Sequence, residues 1–248
     1  MSDTQIQPDL LNKKSFRWMD ADAYLFDIDG TLLVTRDLVH WNALHQAMLE
    51  AYGVDTTIEG IAYHGKTDLG ILRAAMERVG ISGLTFDIKL PHALSVVCRE
   101  VEAHKQWIRP EVCPAIPEAL ERLRSAGKLL GVASGNLESV GWQKVQAAGL
   151  RHFFSFGCFS DQTEMRAGIF RQAVEEARKR LGENASVCFV GDTPEDVRAA
   201  RQANAHIVAV CTGTFQSHEL NCHEPNMCVA SFAELLESES YGQSERST

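Results

Sequence analysis

The stretch YLFDIDGTLL, residues 24–33, decides how this chain is read. Its apolar start has the character of a buried strand. The run then stops at Asp27 and Asp29, one residue apart, and turns at Gly30-Thr31. Two carboxylates at a strand end repel each other and lose hydration. Aspartate before glycine is also ordinary turn chemistry. Partners elsewhere in the chain have to decide between these readings.

Downstream of Pro110 the pattern alternates. Helical periodicity at 116–127 leads to a strand at KLLGVASG and a helix at LESVGWQKVQAAG. A short strand at FFSFGCF and a helix at EMRAGIFRQAVEEARKRLG follow. Then come strand SVCFVGD, helix PEDVRAARQAN, strand HIVAVCTG, and a last pair, MCVA and SFAELLES. Repeated strand–helix alternation predicts an α/β fold, a doubly wound, Rossmann-like parallel sheet with helices on both faces.

Between residues 34 and 110 the apolar residues instead recur at helical spacing. Leu38, Trp41, Leu44, Met48 and Leu49 line one face before Gly53, and further helices are expected at 68–80 and 91–108. This block reads as an inserted α-helical cap domain. The expected organisation is a flexible leader at 1–20, an α/β core at 21–33 and 111–237, the cap at 34–110, and a flexible tail at 238–248.

In open parallel sheets, ligands bind beyond the carboxyl ends of strands, near the switch in strand order. One strand ends at Asp27, Asp29, Gly30 and Thr31; another at Ser134, Gly135 and Asn136; a third at Asp192, with Asp196 four residues on. Asp27, Asp29 and Asp192 on one rim call for a cation. Mg²⁺ suits them as a hard, oxygen-preferring ion. Asp27 can then attack phosphorus while Asp29 moves the proton. Gly30, Thr31, Ser134, Gly135 and Asn136 can hold phosphate oxygens through backbone amides and polar side chains, with Arg166 adding a positive charge.

The segments DIDGTLL, VASGN, MRAGIF and VGDTPEDVRAA, spread over residues 22–230, resemble the four motifs of the haloacid dehalogenase-like hydrolase superfamily. The place of the cap is similar to that in the phosphoglycolate phosphatase and β-phosphoglucomutase branch. The resemblance implies Asp27 as nucleophile, Asp29 as general acid/base and Ser134 as phosphate holder. It also implies Asp192 as a Mg²⁺ ligand beside Asp27, the Asp29 backbone carbonyl as another, and Asp196 as support. Relatives often carry Lys-Pro in the third motif, where this chain has Arg166-Ala167-Gly168; Lys144 is the alternative cation.

An aspartate two positions after the nucleophile favours phosphate-ester chemistry over dehalogenation. The expected activity is hydrolysis of a small phosphomonoester, phosphoglycolate- or sugar-phosphate-like, through an aspartyl-phosphate. A β-phosphoglucomutase-like mutase is the alternative: His40 matches that pattern, but His64 stands where it has a lysine before Gly65. A catalytically silent regulatory or binding member is the second alternative. His64, Lys66 and Asp68 are the cap candidates for substrate contact, although Thr67 also suits a helix N-cap.

Of the 248 residues, 45% are hydrophobic and 23% charged, ordinary for a globular chain. A net charge of −9 argues against nucleic acid as a partner. The basic run EEARKRLG reads as a solvated helix end. No apolar run approaches the ~18 residues of a membrane span, and the first twenty residues lack the features of a secretory signal. The seven cysteines form no paired framework, which suits a reducing cytoplasm. Cys222, His223 and Cys228 offer only three ligands where zinc takes four. A small phosphorylated metabolite is the expected partner of a monomer or homodimer.

Overall fold

The computed structural model describes residues 16–237. Strands β1 (Ala23–Phe26), β4 (Leu129–Ala133), β5 (Phe156–Cys158), β6 (Val187–Gly191), β7 (His206–Val210) and β8 (Met227–Val229) form one sheet in the order β5-β4-β1-β6-β7-β8. Every pairing is parallel. Parallel strands are covered on both faces, so they read as continuous apolar runs. Successive side chains go to opposite sides: Tyr24, Phe26, Val132 and Val190 join one core layer, while Leu25, Ala133 and Phe189 join the other.

Helices α4 (Ile116–Ser125) and α5 (Glu138–Ala147) cover the first layer with Leu120, Leu123 and Val145. Helices α6 (Arg166–Leu181) and α7 (Pro194–Gln202) cover the second with Ile169, Phe170 and Val197. Phe170 stacks on Phe189 at 3.9 Å between centroids. The short helix α8 (Ser217–Asn221), which the periodicity did not announce, follows β7. The chain runs outward from β1 to β4 and β5, then returns to β6 on the other side. The switch in strand order therefore lies at β1.

The helical insertion is α1 (Val39–Ala47), α2 (Asp68–Arg78) and α3 (Gly83–His104), with its own core of Met48, Leu72, Phe86, Val96 and Val97. Leu137 and Val140 at the start of α5 join that core. The chain enters the insertion through β2 (Leu33–Thr35) and leaves it through β3 (Pro110–Val112). These two strands pair antiparallel, Leu33 opposite Val112 and Thr35 opposite Pro110. The Cys113 amide extends the ladder to the Leu32 carbonyl at 3.0 Å.

Two expectations change. Helix α3 begins eight residues before Pro91, which lies inside it. Proline removes one backbone donor there, but buried Phe86 anchors the early turns: it stacks on Tyr52 at 5.5 Å and lies under the Arg73 guanidinium at 4.4 Å. The leader expected over 1–20 is also packed at its end, because Trp18 is buried against Phe232. The remainder of that leader and the expected tail at 238–248 lie outside the described residues. Among the described residues, no helix is long and apolar enough to cross a membrane.

Candidate active site

The carboxyl ends of β1, β4 and β6 deliver side chains to one rim. Asp27 follows β1, Ser134 follows β4 and Asp192 follows β6; Asp196 comes from the first turn of α7. Carboxylate oxygens of Asp27, Asp192 and Asp196 all lie within 4.8 Å of one another, and all three residues are buried. Arg166, at the first turn of α6, reaches into this cluster. Its two terminal nitrogens each lie 3.3 Å from an oxygen of Asp27, and one also contacts Asp196 Oδ1.

Three carboxylates beside one guanidinium leave a formal excess of two negative charges in a site screened from water. Burial pushes the Asp27 carboxyl up to about 6, opposed by Arg166 and reinforced by Asp196 and Asp29. Burial, then Asp196 and Asp27, drive Asp192 well above the ordinary carboxylate range. Burial alone would lower the Arg166 pKa, but Asp196, Asp27 and Asp192 overcome it and raise it. A divalent cation with hard oxygen preferences fits this donor set and its charge.

The carboxylates are not equivalent. Asp196 Oδ2 accepts the Thr193 amide at 3.0 Å and the Thr193 hydroxyl at 2.6 Å, closing a capping box at the start of α7. With Oδ1 on Arg166, its oxygens are engaged, and Asp27 and Asp192 are freer to ligate. Asp192 Oδ1 accepts the Thr31 hydroxyl at 3.2 Å. Thr31, expected near phosphate, therefore orients a carboxylate instead.

Gly30 and Gly213 press their backbones against Asp192, and a Cβ on either would collide with its carboxylate. Gly30 also has φ +82°, a conformation suited to glycine. The Thr212 hydroxyl donates to the Gly30 carbonyl at 2.5 Å. Thr212 and Gly213 escaped the sequence reading. Their signal was the small polar run CTGT directly after the β7 strand.

Asp29 points away from the cluster. Lys144 Nζ approaches its two oxygens at 2.7 and 2.9 Å, and Asn136 Nδ2 donates to it at 2.8 Å. Burial raises its pKa, but Lys144 and the two sets of hydrogen bonds outweigh that and hold it below the usual carboxylate range. Lys144 and Arg166 therefore both enter the site, each on a different aspartate. Asn136 also donates to Ser134 Oγ at 3.0 Å and accepts from Lys144 at 2.8 Å, so it bridges the two residues rather than standing open.

The cap closes over this rim. The Lys66 carbonyl lies so near Gly135 that a Cβ there would meet it at 2.6 Å, and the Asp68 amide donates to the Gly135 carbonyl at 2.8 Å. Asp68 is buried; its carboxylate accepts the Leu137 amide at 2.8 Å and faces His40 at 3.2 Å. Thr67 is the N-cap of α2, accepting from the Gly70 amide at 3.1 Å. His64 is exposed and reaches Thr214 at 3.3 Å. Cap and core together enclose a cavity of about 570 Å³ that runs from Asp27 and Asp29 to His40, His64, Lys66 and Asp68.

Residues 21–204 match the family model of haloacid dehalogenase-like hydrolases. The chain is 28% identical over 220 residues to a phosphoglycolate phosphatase of Mesorhizobium japonicum, covering 88% of this chain and 94% of that one. It is 26% identical over 211 residues to a glyceraldehyde 3-phosphate phosphatase of Methanopyrus kandleri, covering 79% and 87%. Among solved structures, a predicted phosphoglycolate phosphatase from Haemophilus somnus superposes with a TM-score of 0.65 at 16% identity, covering 88% and 98%. CbbY from Rhodobacter sphaeroides, in complex with phosphate, gives 0.63 at 20% identity, covering 87% and 96%. With three motifs at strand ends of a parallel sheet and the fourth at the start of α6, this chain belongs to the haloacid dehalogenase-like hydrolases.

Proposed function

We propose that this protein is a Mg²⁺-dependent phosphatase that hydrolyses a phosphate monoester of a small metabolite through a phosphoryl-Asp27 intermediate. The observation that carries the proposal is the buried cluster of Asp27, Asp192 and Asp196 beside a single guanidinium, with a fourth carboxylate, Asp29, held apart. The similarity to a glyceraldehyde 3-phosphate phosphatase and a phosphoglycolate phosphatase supports the same class. Asp27 and Asp192 would hold the ion, which would offset phosphate charge when bound.

An Asp27 oxygen attacks phosphorus and the ester P–O bond breaks. The leaving oxygen takes a proton from Asp29. Water then attacks the phosphoryl group and gives its proton to the Asp29 carboxylate; the Asp27–phosphorus bond breaks and inorganic phosphate departs. The Lys144 contact keeps Asp29 ionised, the state required for the second half. Substrate phosphate competes for the Lys144 ammonium, and its capture there frees Asp29 to carry the proton needed in the first. Ser134, fully buried at the end of β4 with its Oγ accepting from Asn136, is the hydroxyl this reading assigns to phosphate.

Release of p-nitrophenolate from p-nitrophenyl phosphate, followed with MgCl₂ and with EDTA, tests the reading. Metal-dependent turnover that disappears in Asp27→Asn is the expected result. Equal rates with and without metal, or an Asp27→Asn protein as active as the wild type, would overturn it.

A further inference from the structure

The cap side of the cavity differs in chemistry from the rim. Leu38, Trp41, Leu44, Ile58, Tyr63 and Ile71 form an apolar wall opposite the carboxylates. Trp41 and Tyr63 meet edge to face, with centroids 6.0 Å apart and planes at 84°, so they make a corner of two aromatic surfaces. Tyr63 is 36% and Leu38 61% exposed, although the side chains behind them are packed. Apolar surface kept open inside a cleft is unfavourable until something covers it.

Most polar groups of the same wall are engaged by the protein, although His40 Nε2 is buried without a hydrogen-bond partner among the described residues. Arg36 pairs with Glu111 at 3.0 Å, His40 faces Asp68 at 3.2 Å, and His64 contacts Thr214 at 3.3 Å. Asp37 accepts the amides of Val39 at 3.1 Å and Arg109 at 2.8 Å. Lys66 is the cationic side chain of the wall without an ion pair among the described residues. A sugar would need a row of free donors and acceptors here, and a carboxylate a fixed cationic partner. A volume of about 570 Å³ also far exceeds the need of a two-carbon ester and lies in the usual range for ring-sized ligands.

The geometry points to a phosphomonoester whose leaving alcohol carries a flat, largely apolar ring, seated in the corner between Trp41 and Tyr63. This rests on the phosphatase reading for the chemistry and adds the substrate class. The phosphate sits at the Asp27 rim, and the ring replaces water over the aromatic corner and over Leu38.

The test compares kcat/KM, with Mg²⁺ present, for 2-phenylethyl phosphate, ethyl phosphate, 2-phosphoglycolate and glucose 6-phosphate. All four are esters of aliphatic alcohols, so leaving-group strength does not favour the ring. The ring ester is expected to exceed each of the others by about tenfold or more. Tyr63→Ala, at an exposed position that folding tolerates, and Trp41→Ala each lower the ratio of 2-phenylethyl to ethyl phosphate by about fivefold or more. Faster turnover of phosphoglycolate or glucose 6-phosphate, or a ratio that neither variant changes, overturns the assignment. Calorimetric binding of 2-phenylethylphosphonate and ethylphosphonate separates the two readings. If no ester is hydrolysed the phosphatase reading fails, and tighter binding of the ring compound by about tenfold still upholds the site, whereas equal binding removes it.

Discussion

Lys144 Nζ grips both oxygens of Asp29, at 2.7 and 2.9 Å, while Asn136 donates to the same carboxylate at 2.8 Å. Replacing Lys144 by methionine removes the charge that offsets burial, so the Asp29 carboxyl moves up. Activity is expected to fall by roughly 10² or more. On the proposed mechanism Asp29 must be ionised when water attacks the phosphoryl group, so the acid limb of kcat, read where that step limits turnover, should move to higher pH. A profile with an unmoved acid limb would detach Asp29 from proton transfer. Asn136→Ala should shift the limb the same way by less.

Without metal, stability should fall as pH rises from about 4 to about 6. Asp27 titrates near 6 in the fold and near 4 when unfolded, so the folded chain binds the extra proton across that window. Such a displacement is worth roughly 3 kcal/mol, and Asp192 acts in the same direction. Asp29 has the opposite sign: its stabilising contribution is present above the ordinary carboxylate pKa and is lost as pH falls below it. Thermal melts in EDTA at pH 5 and 7.5 should therefore give the higher Tm at pH 5. MgCl₂ should raise Tm more at pH 7.5 than at pH 5.

Asp192 is held on one side by the Thr31 hydroxyl and on two others by glycine backbone. Asp192→Asn should raise the Mg²⁺ concentration for half-maximal activity by about tenfold or more. Gly213→Ala should act in the same direction, since its Cβ displaces that carboxylate. Residue 213 lies outside helix and strand, so Tm should change by only a few degrees. Magnesium titrations of activity, paired with melts, read both effects.

Gly135→Ala should act through the cap. The new methyl would meet the Lys66 carbonyl at 2.6 Å and the Thr67 Cα at 3.1 Å. It would also crowd the place where the Asp68 amide docks. The expected result is a cap held ajar, with kcat/KM lowered by about tenfold or more and faster proteolytic cleavage in residues 60–66. Unchanged cleavage together with unchanged kinetics would mean that closure does not depend on this contact.

The sheet was legible in the sequence because parallel strands are short apolar runs between helices, and strand ends marked by Asp27, Ser134 and Asp192 fall on one rim by topology alone. What each side chain does once there was less legible. Lys144 shares a helix face with buried Val140 and Gly141, a lysine at an apolar position, yet its target depends on where α5 sits. Thr31 and Asn136 carry groups suited to phosphate, but neighbouring carboxylates claimed them first. The β2–β3 pairing joins three-residue strands more than seventy positions apart, too short to show periodicity. Pro91 suggested a helix start, and the packing of Phe86 overrode it.

Thr35 and Pro110 face each other across that short antiparallel pair. Neighbouring strands stand about 5 Å apart, so the whole cap departs from and returns to nearly the same point. For the sheet, residues 36–109 are one very long loop at the end of a hairpin. A two-residue turn of Asn-Gly type could span that gap. Excision of the cap should leave the α/β core topology intact, with the carboxylate rim open to water and Leu137 and Val140 stripped of their cover. Exchange with another helical insertion could regraft specificity without altering a single strand register.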